Sequence, residues 1–447
     1  MKPTQLRIRP LATLAPLGLL LAAASAQATD GYFANGYGLK AIGMGGAAAA
    51  VALEPFGGAV NPGAMSFLDN QWQLGAAWFR PERSASRTGS GAWGIDGSVE
   101  SDSIDFIIPE FGVNWRYRPD LAFGVTVFGN GGMNTDYPGG QIPAASACAG
   151  LNPGQPSYNL LCGNGTLGVD LSQLLIAPYA SWQFTKGHSI GIAPVIAYQR
   201  FKAEGLQAFE GFSTSPGSVT NNGYSSAWGA GVRIGYMGQF TPQFSAGLSY
   251  ASKINMGEFE DYKGLFAQGG GFDIPSNFTI GVGFRPTDKW LIAVDFERIF
   301  YSDAPSVSNS SSLILNCFGG QASACLGGSD GAGFGWQDIN VWKIGVQYMV
   351  NEQWTIRGGY NHSDNPIQAA DVTFNILAPG IVQNQWSLGA SWKLDAQSEL
   401  TGAFMYAQNN SLTGPSLFQK FPMASQTMTE TIQMKEYLLG LAYSRKF

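Results

Sequence analysis

The residue types that most often carry out chemistry are scarce in this chain of 447 residues. Its two histidines, His188 and His362, lie in separate segments, and no Ser-His-Asp arrangement is suggested around either. The run from Gly43 to Gly46 lacks the Gly-Lys-Ser/Thr ending of a phosphate-binding loop. We therefore expect no catalytic residues and no cofactor, and an enzyme is the least favoured interpretation.

The four cysteines form two close pairs in the sequence, Cys148 with Cys162 and Cys317 with Cys325. Each pair lies within one polar, glycine-rich segment, where a disulfide bond can form if the protein is exported. A zinc site is not expected, because the histidines lie in other segments. We predict one disulfide bond within each segment and no bound metal.

The N-terminus indicates export. Basic residues at the start are followed by an apolar stretch from Leu11 to Ala24 and then by small residues up to Ala28. This order is typical of a secretory signal peptide. The alternative is a membrane anchor, but about 14 apolar residues fall short of the roughly 20 that a spanning helix needs. We expect residues 1–28 to be cleaved.

The composition of the rest points to contact with lipid. Charged residues make up 13% of the chain, against about 25% in an average protein, and aromatic residues also make up 13%. No later segment holds about 18 uninterrupted apolar residues, so spanning helices are not expected. The remaining way to cross a membrane is a closed barrel that pairs every backbone group between strands. The net charge of −6 argues against a nucleic-acid partner.

Apolar and polar residues alternate along many segments, as in strands with one face in lipid. Trp72, Leu74 and Trp78 share one face, for example, while Gln71 and Gln73 lie on the other. The last alternating segment ends in Phe447, which resembles the C-terminal signal of outer-membrane barrels. By the same period of two, Asp295 and Glu297 point inward and form part of a polar inner wall.

Fourteen strands are predicted, joined by short turns at one end and by long polar loops at the other. This arrangement is typical of barrels in the outer membrane of Gram-negative bacteria. The fold class is therefore all-β, a 14-stranded antiparallel transmembrane β-barrel over residues 70–447. The predicted strands lie near 70–83, 104–118, 120–131, 168–185, 188–203, 223–240, 243–256, 272–286, 288–302, 336–350, 352–363, 380–394, 396–408 and 431–447.

Residues 29–69 do not alternate. This segment is rich in glycine and alanine, nearly uncharged, and too apolar to remain as an exposed tail. A segment of this kind can pack inside the lumen of a barrel. We therefore expect an N-terminal hatch, or plug, between the signal peptide and the first strand.

The glycine-rich entry, the alanine tract and the ending from Asn61 to Leu68 resemble the N-terminal hatch of the FadL-type transporters of long-chain fatty acids and hydrocarbons. Further stretches agree in order along the chain, among them Asp295 to Ser302 and Arg357 to Asn361. The family usually has Asn-Pro-Ala where this chain has Asn61, Pro62 and Gly63. The resemblance runs from about residue 31 to the C-terminus.

The resemblance implies a monomeric barrel that captures apolar ligands at its extracellular side and binds them in the lumen. It also implies lateral release into the membrane through a kink in the third strand. The predicted third strand ends in Gly129, Asn130, Gly131 and Gly132, and glycines within a strand often mark a bulge or bend. These glycines could also simply begin the following loop.

We expect a passive transporter of hydrophobic molecules in contact with outer-membrane lipids, with long-chain fatty acids as the favoured ligands. Aromatic hydrocarbons are the alternative ligands. A general aqueous porin and a purely structural or adhesive barrel are less favoured, because neither accounts for the apolar hatch.

Two groups of residues are candidates for ligand contact. In the family a capture groove lies between two extracellular segments, which resemble the loops at 204–222 and 257–271 here. The apolar candidates in these loops are Leu206, Phe209, Phe212, Leu265 and Phe266. A carboxylate head group would need a positive partner, and the inward-facing candidates, among which the sequence does not choose, are Arg233, Arg357, Lys343 and Lys393.

Overall fold

The computed structural model describes residues 29–447, and the predicted signal peptide lies outside the described residues. All fourteen predicted strands are present. They are β1 (Gln71–Thr88), β2 (Phe106–Arg118), β3 (Leu121–Tyr137), β4 (Leu167–Thr185), β5 (His188–Glu204), β6 (Ser225–Gln239), β7 (Phe244–Ala251), β8 (Asn277–Phe284), β9 (Trp290–Ile299), β10 (Ile339–Met349), β11 (Trp354–Ser363), β12 (Asn384–Lys393), β13 (Ser398–Pro415) and β14 (Thr429–Lys446).

Every strand pairs antiparallel with its neighbours in the sequence, and β1 pairs with β14 from Gln71 opposite Lys446 to Thr88 opposite Thr429. The sheet therefore closes on itself. Closure leaves no strand edge open, as the absence of water in a membrane requires. The predicted 14-stranded antiparallel barrel is confirmed.

The outer surface carries a band of exposed, large apolar side chains, including Trp115, Trp228, Trp342, Trp386 and Leu441. The side chains between them along each strand point inward and are mostly buried. This period of two places the apolar face of each strand outward, as a barrel surrounded by lipid requires. Two of the outer tryptophans, Trp354 and Trp392, lie opposite each other on β11 and β12, with ring centroids 5.7 Å apart.

Several strands are longer than predicted at their extracellular ends. β3 continues past its glycines to Tyr137, and β13 continues to Pro415 with an irregularity between Ala407 and Asn410. Both extensions remain paired with a neighbour, since β3 pairs with β4 and β13 pairs with β14 along this length. The prediction that the loops begin near residues 132 and 409 was wrong.

The connections contain short elements only. No helix within residues 29–447 is long and apolar enough to span a membrane. The α-helical turns are α1 (Leu39–Ile42), α2 (Gly57–Val60), α3 (Cys148–Leu151), α4 (Ala267–Gly270), α5 (Pro305–Ser308), α6 (Ile314–Phe318) and α7 (Val372–Asn375). The 3-10 turns are Pro62–Phe67, Gly91–Trp93, Gln207–Phe212, Pro216–Ser218, Glu260–Tyr262, Tyr301–Asp303, Ser311–Leu313, Ala322–Ala324, Ala369–Asp371 and Leu417–Lys420. Short outlying strands are Gly97–Glu100, Ile142–Pro143, Ser157–Tyr158 and Asn255–Met256.

Both cysteine pairs are bonded, Cys148 to Cys162 and Cys317 to Cys325. Each bond closes a short stretch of one extracellular connection, with sequence separations of 14 and 8 residues. Crosslinks of this length restrict the loop locally. They hold the loops above the barrel and do not join strands of its wall.

Candidate ligand path

Residues 29–69, the N-terminal segment, fill the interior of the barrel and are almost entirely buried. The segment makes hydrogen bonds to opposite parts of the wall. The Asp295 carboxylate on β9 accepts from the backbone N–H of Ala48 at 2.7 Å, and Gly45 N donates to Ser387 Oγ on β12 at 2.9 Å. Because backbone N–H groups of the segment bind these wall side chains, the segment needs few charged side chains of its own to stay inside the barrel.

The inner wall carries glycine where the N-terminal segment touches it. A Cβ added at Gly247 on β7 would lie 2.0 Å from the carbonyl oxygen of Ala49. A Cβ at Gly359 on β11 would lie 2.0 Å from the backbone nitrogen of Gly45. The two backbones therefore touch directly, which only glycine permits. Gly191 and Gly345 approach the backbone of the segment as closely, and Gly235 lies against the side chain of Asn61.

Asn61 anchors the end of the N-terminal segment. Its side-chain nitrogen donates to the carbonyls of Ala49 (2.7 Å) and Tyr236 (2.9 Å), while its oxygen accepts from Gly63 N at 2.9 Å. Pro62 begins the 3-10 turn that Asn61 caps, a position where a missing N–H costs nothing. A Cβ at Gly63 would lie 2.9 Å from the backbone of Gly235, so an alanine there would press against β6.

A buried group of charges lies at the other end of the segment. Lys343 Nζ on β10 is 2.7 Å from the Glu297 carboxylate and 3.8 Å from that of Asp30. Burial raises the pKa of Asp30 to about 6, although Lys343 acts in the opposite direction. Asp30 also accepts hydrogen bonds from Asn361 (3.2 Å) and Gln385 (2.9 Å).

A β-bulge interrupts β3 at the predicted position. Gly129 pairs with Leu174 and Gly131 with Gln173, so Asn130 is an extra residue between two paired ones. Its carbonyl accepts a hydrogen bond of 3.0 Å from Ala34 N in the N-terminal segment. On the other side of β3, the register with β2 ends at Phe111 opposite Val127. The wall thus changes its pairing where it meets the N-terminal segment.

An apolar cavity of about 40 Å³ lies on the extracellular side of the N-terminal segment. Four of the predicted ligand contacts line it, namely Leu206, Phe209, Leu265 and Phe266. Ser306 is the one polar side chain in the lining, and its hydroxyl donates to Gly271 O at 2.6 Å. The remaining lining residues are Leu161, Val169, Phe201, Leu326, Ala332, Gly333, Phe334, Phe374 and Leu377.

A second space of about 20 Å³, lined mainly by apolar residues but also by Arg83 and Asn134, lies toward the bulge. Ala378 lines it, and the preceding residue, Leu377, lines the first cavity. Gly132, at the end of the bulge, also lines it, together with Tyr32 and Trp336. The two spaces therefore form a row from the loops to β3.

The basic candidates lie away from this row. Arg233 donates to the carbonyl of Val60 at 3.2 Å, and Lys343 is paired as described. Arg357 and Lys393 line a separate polar cavity at the short-turn end of the barrel. The structure therefore does not bring any of the four to the apolar cavity.

Phe212, the fifth apolar candidate, packs outside the cavity. Its ring contacts those of Phe318 (4.9 Å) and Phe421 (6.2 Å) in neighbouring loops. The sequence reasoning also missed Phe374 and Leu377, which enter the cavity from the loop between β11 and β12. Four of the six residues from Val372 to Leu377 are apolar, a pattern that indicates burial but not the partner.

The comparisons with known proteins agree with this architecture. A family described as "Outer membrane protein transport protein (OMPP1/FadL/TodX)" matches residues 157–447. The chain belongs to this family. The FadL/TodX family is one of outer-membrane transporters, so this barrel is an outer-membrane protein that transports hydrophobic molecules. No curated protein matches the chain.

Solved structures similar to this FadL/TodX-family protein show the same fold. The P. putida toluene transporter TodX has 17% identity and a TM-score of 0.65, over 92% of this chain and 99% of TodX. The Ralstonia pickettii toluene transporter TbuX has 16% identity and a TM-score of 0.60, over 92% and 99%. A Pseudomonas aeruginosa FadL homologue has 14% identity and a TM-score of 0.65, over 93% and 100%.

Proposed function

We propose that this protein takes up uncharged hydrophobic molecules, with aromatic hydrocarbons preferred over long-chain fatty acids. The observation that carries this proposal is the lining of the apolar cavity, which holds no charged side chain. A carboxylate buried there would lack a partner, and burying an unpaired charge is strongly unfavourable. The resemblance alone favours fatty acids, and the chemistry of the cavity reverses that preference.

Capture takes place at the extracellular loops. Leu265 and Phe266 from one loop and Leu206 and Phe209 from another line the cavity together. Its volume of about 40 Å³ is far below the roughly 300–1,000 Å³ of most ligand pockets. A ligand therefore enters by displacing loop side chains, and it gains roughly 0.8 kcal/mol for each methylene group buried.

The N-terminal segment acts as a hatch, and the ligand leaves through the wall. The row of spaces leads to Gly132 and the bulge in β3, while the N-terminal segment separates it from the short-turn side of the lumen. A lateral exit keeps the ligand out of water along the whole route. Movement from a dilute aqueous phase into lipid is downhill for an apolar molecule, so no energy source is required.

The test is uptake of ¹⁴C-toluene and ¹⁴C-oleate by cells that lack the protein, with and without a plasmid that restores it. We expect restoration to increase toluene uptake several-fold more than oleate uptake. A larger increase for oleate would contradict the preference for uncharged ligands. A lack of increase for both, with the protein present in the outer membrane, would contradict the transport proposal itself.

A further inference from the structure

The polar cavity that Arg357 and Lys393 line is large and lies on the periplasmic side of the N-terminal segment; we call it the vestibule. It has a volume of about 440 Å³ and is lined by wall residues, by the turn from Asp395 to Ser398, and by Leu53 and Phe67 of the segment. In outer-membrane barrels the short turns face the periplasm. The vestibule is therefore separated by the N-terminal segment from the apolar cavity near the loops.

The vestibule holds an excess of positive charge. Five basic residues line it, namely Lys40, Arg285, Arg357, Lys393 and Lys446. Only three acidic residues line it, namely Asp69, Asp395 and Glu399. Two of the carboxylates are already used in ion pairs, Glu399 with Lys40 at 2.6 Å and Asp69 with Lys446 at 2.7 Å.

The third carboxylate, that of Asp395, is hydrogen-bonded to the backbone. Asp395 accepts from the N–H groups of Gln397 (2.7 Å) and Ser398 (2.8 Å), which fixes the turn. Among residues 29–447, Arg285, Arg357 and Lys393 then remain without an ion-pair partner. Glu399 also attracts Arg357 and Lys393 at longer range, so the carboxylates offset part of the positive charge. Five basic side chains against three carboxylates still leave the cavity with an excess of positive charge.

Arg357 is the most informative of the three, because it is only 7% exposed. Its Nε donates to Gln347 Oε1 at 2.8 Å and its Nη1 to Ser391 Oγ at 2.7 Å. Both partners are neutral, and Nη2 has no hydrogen-bond partner within the described part of the chain. A guanidinium this buried costs free energy unless an anion accompanies it.

We propose that the vestibule binds a small oxyanion from the periplasm, a carboxylate or a phosphate, held by Arg357, Arg285 and Lys393. The guanidinium group presents a planar pair of donors that matches the oxygens of either anion. The wall residues Gln347 and Ser391 hold Arg357 in position and leave Nη2 for the ligand. This inference does not depend on which hydrophobic molecule the protein transports.

The bound anion also stabilises the N-terminal segment inside the barrel. The vestibule is lined on one side by the wall and on the other by Lys40, Leu53 and Phe67 of the segment. A ligand that binds the assembled site and not the opened one shifts the equilibrium toward the assembled state. Anion binding should therefore slow hydrogen exchange in the N-terminal segment.

The experiment uses the full mature protein, purified in detergent, with isothermal titration at constant ionic strength. The probes are inorganic phosphate, sodium acetate and, as reference, sodium chloride. We expect saturable binding of phosphate, acetate or both, beyond any effect of chloride. Arg357→Gln and Lys393→Gln should each weaken this binding by about tenfold or more, since each removes a charged hydrogen-bond donor.

The matched control is Arg118→Gln, at another turn on the same side of the barrel, where the arginine is exposed and paired with Asp120 at 3.2 Å. Its binding should equal that of the unaltered protein. Lys393 is exposed, so Lys393→Gln remains informative if Arg357→Gln does not fold. Absence of saturable binding of both oxyanions would overturn the proposal. Equal affinity in Lys393→Gln and the unaltered protein would do so as well.

Discussion

The Tyr37 hydroxyl donates a hydrogen bond of 3.0 Å to the side-chain oxygen of Asn130, the extra residue of the bulge in β3. The Tyr37 ring also packs on Phe128, with centroids 4.6 Å apart. The N-terminal segment is thereby joined to the part of the wall through which we propose that ligands leave. Disturbing this contact should change the bulge without disturbing the barrel.

Tyr37→Phe removes the hydrogen bond and keeps the ring contact. We expect a local loss of about 1 kcal/mol, seen as faster hydrogen exchange at Gly129–Gly132. The rest of β3 should exchange as before. Tyr250→Phe on the lipid-facing surface is the control and should leave the bulge unchanged. Identical exchange at the bulge in Tyr37→Phe and the unaltered protein would show that this hydrogen bond does not hold it.

Gly247→Val tests the direct contact between the wall and the N-terminal segment. The new side chain would occupy the position of the Ala49 carbonyl, so the segment must move away from β7. We expect a clear rise in single-channel conductance in planar bilayers. Gly358→Val is the control, because the nearest atoms to its Cβ are 3.9 Å away. A closed channel in Gly247→Val would mean that the contact at Gly247 does not hold the segment in the lumen.

Leu265→Ala and Phe266→Ala should each reduce uptake of labelled ligand several-fold, because both side chains line the apolar cavity. Phe266 also packs on Phe201, with ring centroids 4.6 Å apart, so its loss widens the cavity and weakens loop packing. Phe318→Ala, an exposed loop residue, serves as the control. Normal uptake in both cavity variants would show that the ligand is not captured at these loops.

The buried Asp30 gives the stability of the protein a dependence on pH. Burial, the largest effect, raises its pKa from 3.8 to about 6, against the opposing influence of Lys343, and Glu297 adds to the rise. The folded protein therefore holds this proton at pH values where the unfolded chain has released it. The contribution of Asp30 to the free energy of unfolding should fall as the pH rises from 3.8 to about 6 and then level off.

Asp30→Asn should make the fall in stability over this pH range less steep, since an amide does not titrate. The measurement is equilibrium unfolding of both proteins across that pH range. Asp69→Asn, at an exposed carboxylate, is the control and should keep the slope. An unchanged slope in Asp30→Asn would show that Asp30 titrates normally.

The barrel could be predicted from the sequence because lipid on one side and a polar interior on the other impose a period of two on every strand. The inward orientation of Asp295 and Arg357 followed from the same rule. The length of β3 could not be predicted from this period. Gly131 and Gly132 stay paired with β4, and Gly132 N donates to Tyr32 O at 3.1 Å, a contact with a residue about 100 positions away.

The candidate site was predictable only in part for the same reason. Leu206 and Leu265 could be identified as apolar residues in polar loops, but Phe374 completes the cavity from a distant loop. The period of two placed Arg233 inside the barrel. Its partner, the Val60 carbonyl, belongs to the N-terminal segment, whose path has no simple period to reveal it.

The most direct test of the account is a crosslink across the proposed exit between β2 and β3. A Cβ at Gly129 would lie 3.6 Å from Ile108 Cγ2, so cysteines at these two positions are close enough to be joined. The measurement is uptake of labelled toluene by cells that produce the double variant Ile108→Cys and Gly129→Cys, before and after treatment with a reductant. The unaltered protein with the same reductant controls for its own two disulfides. We expect little uptake while the crosslink is intact and normal uptake once it is reduced. Uptake at the normal rate through a barrel whose crosslink is verified by mass spectrometry would contradict lateral release.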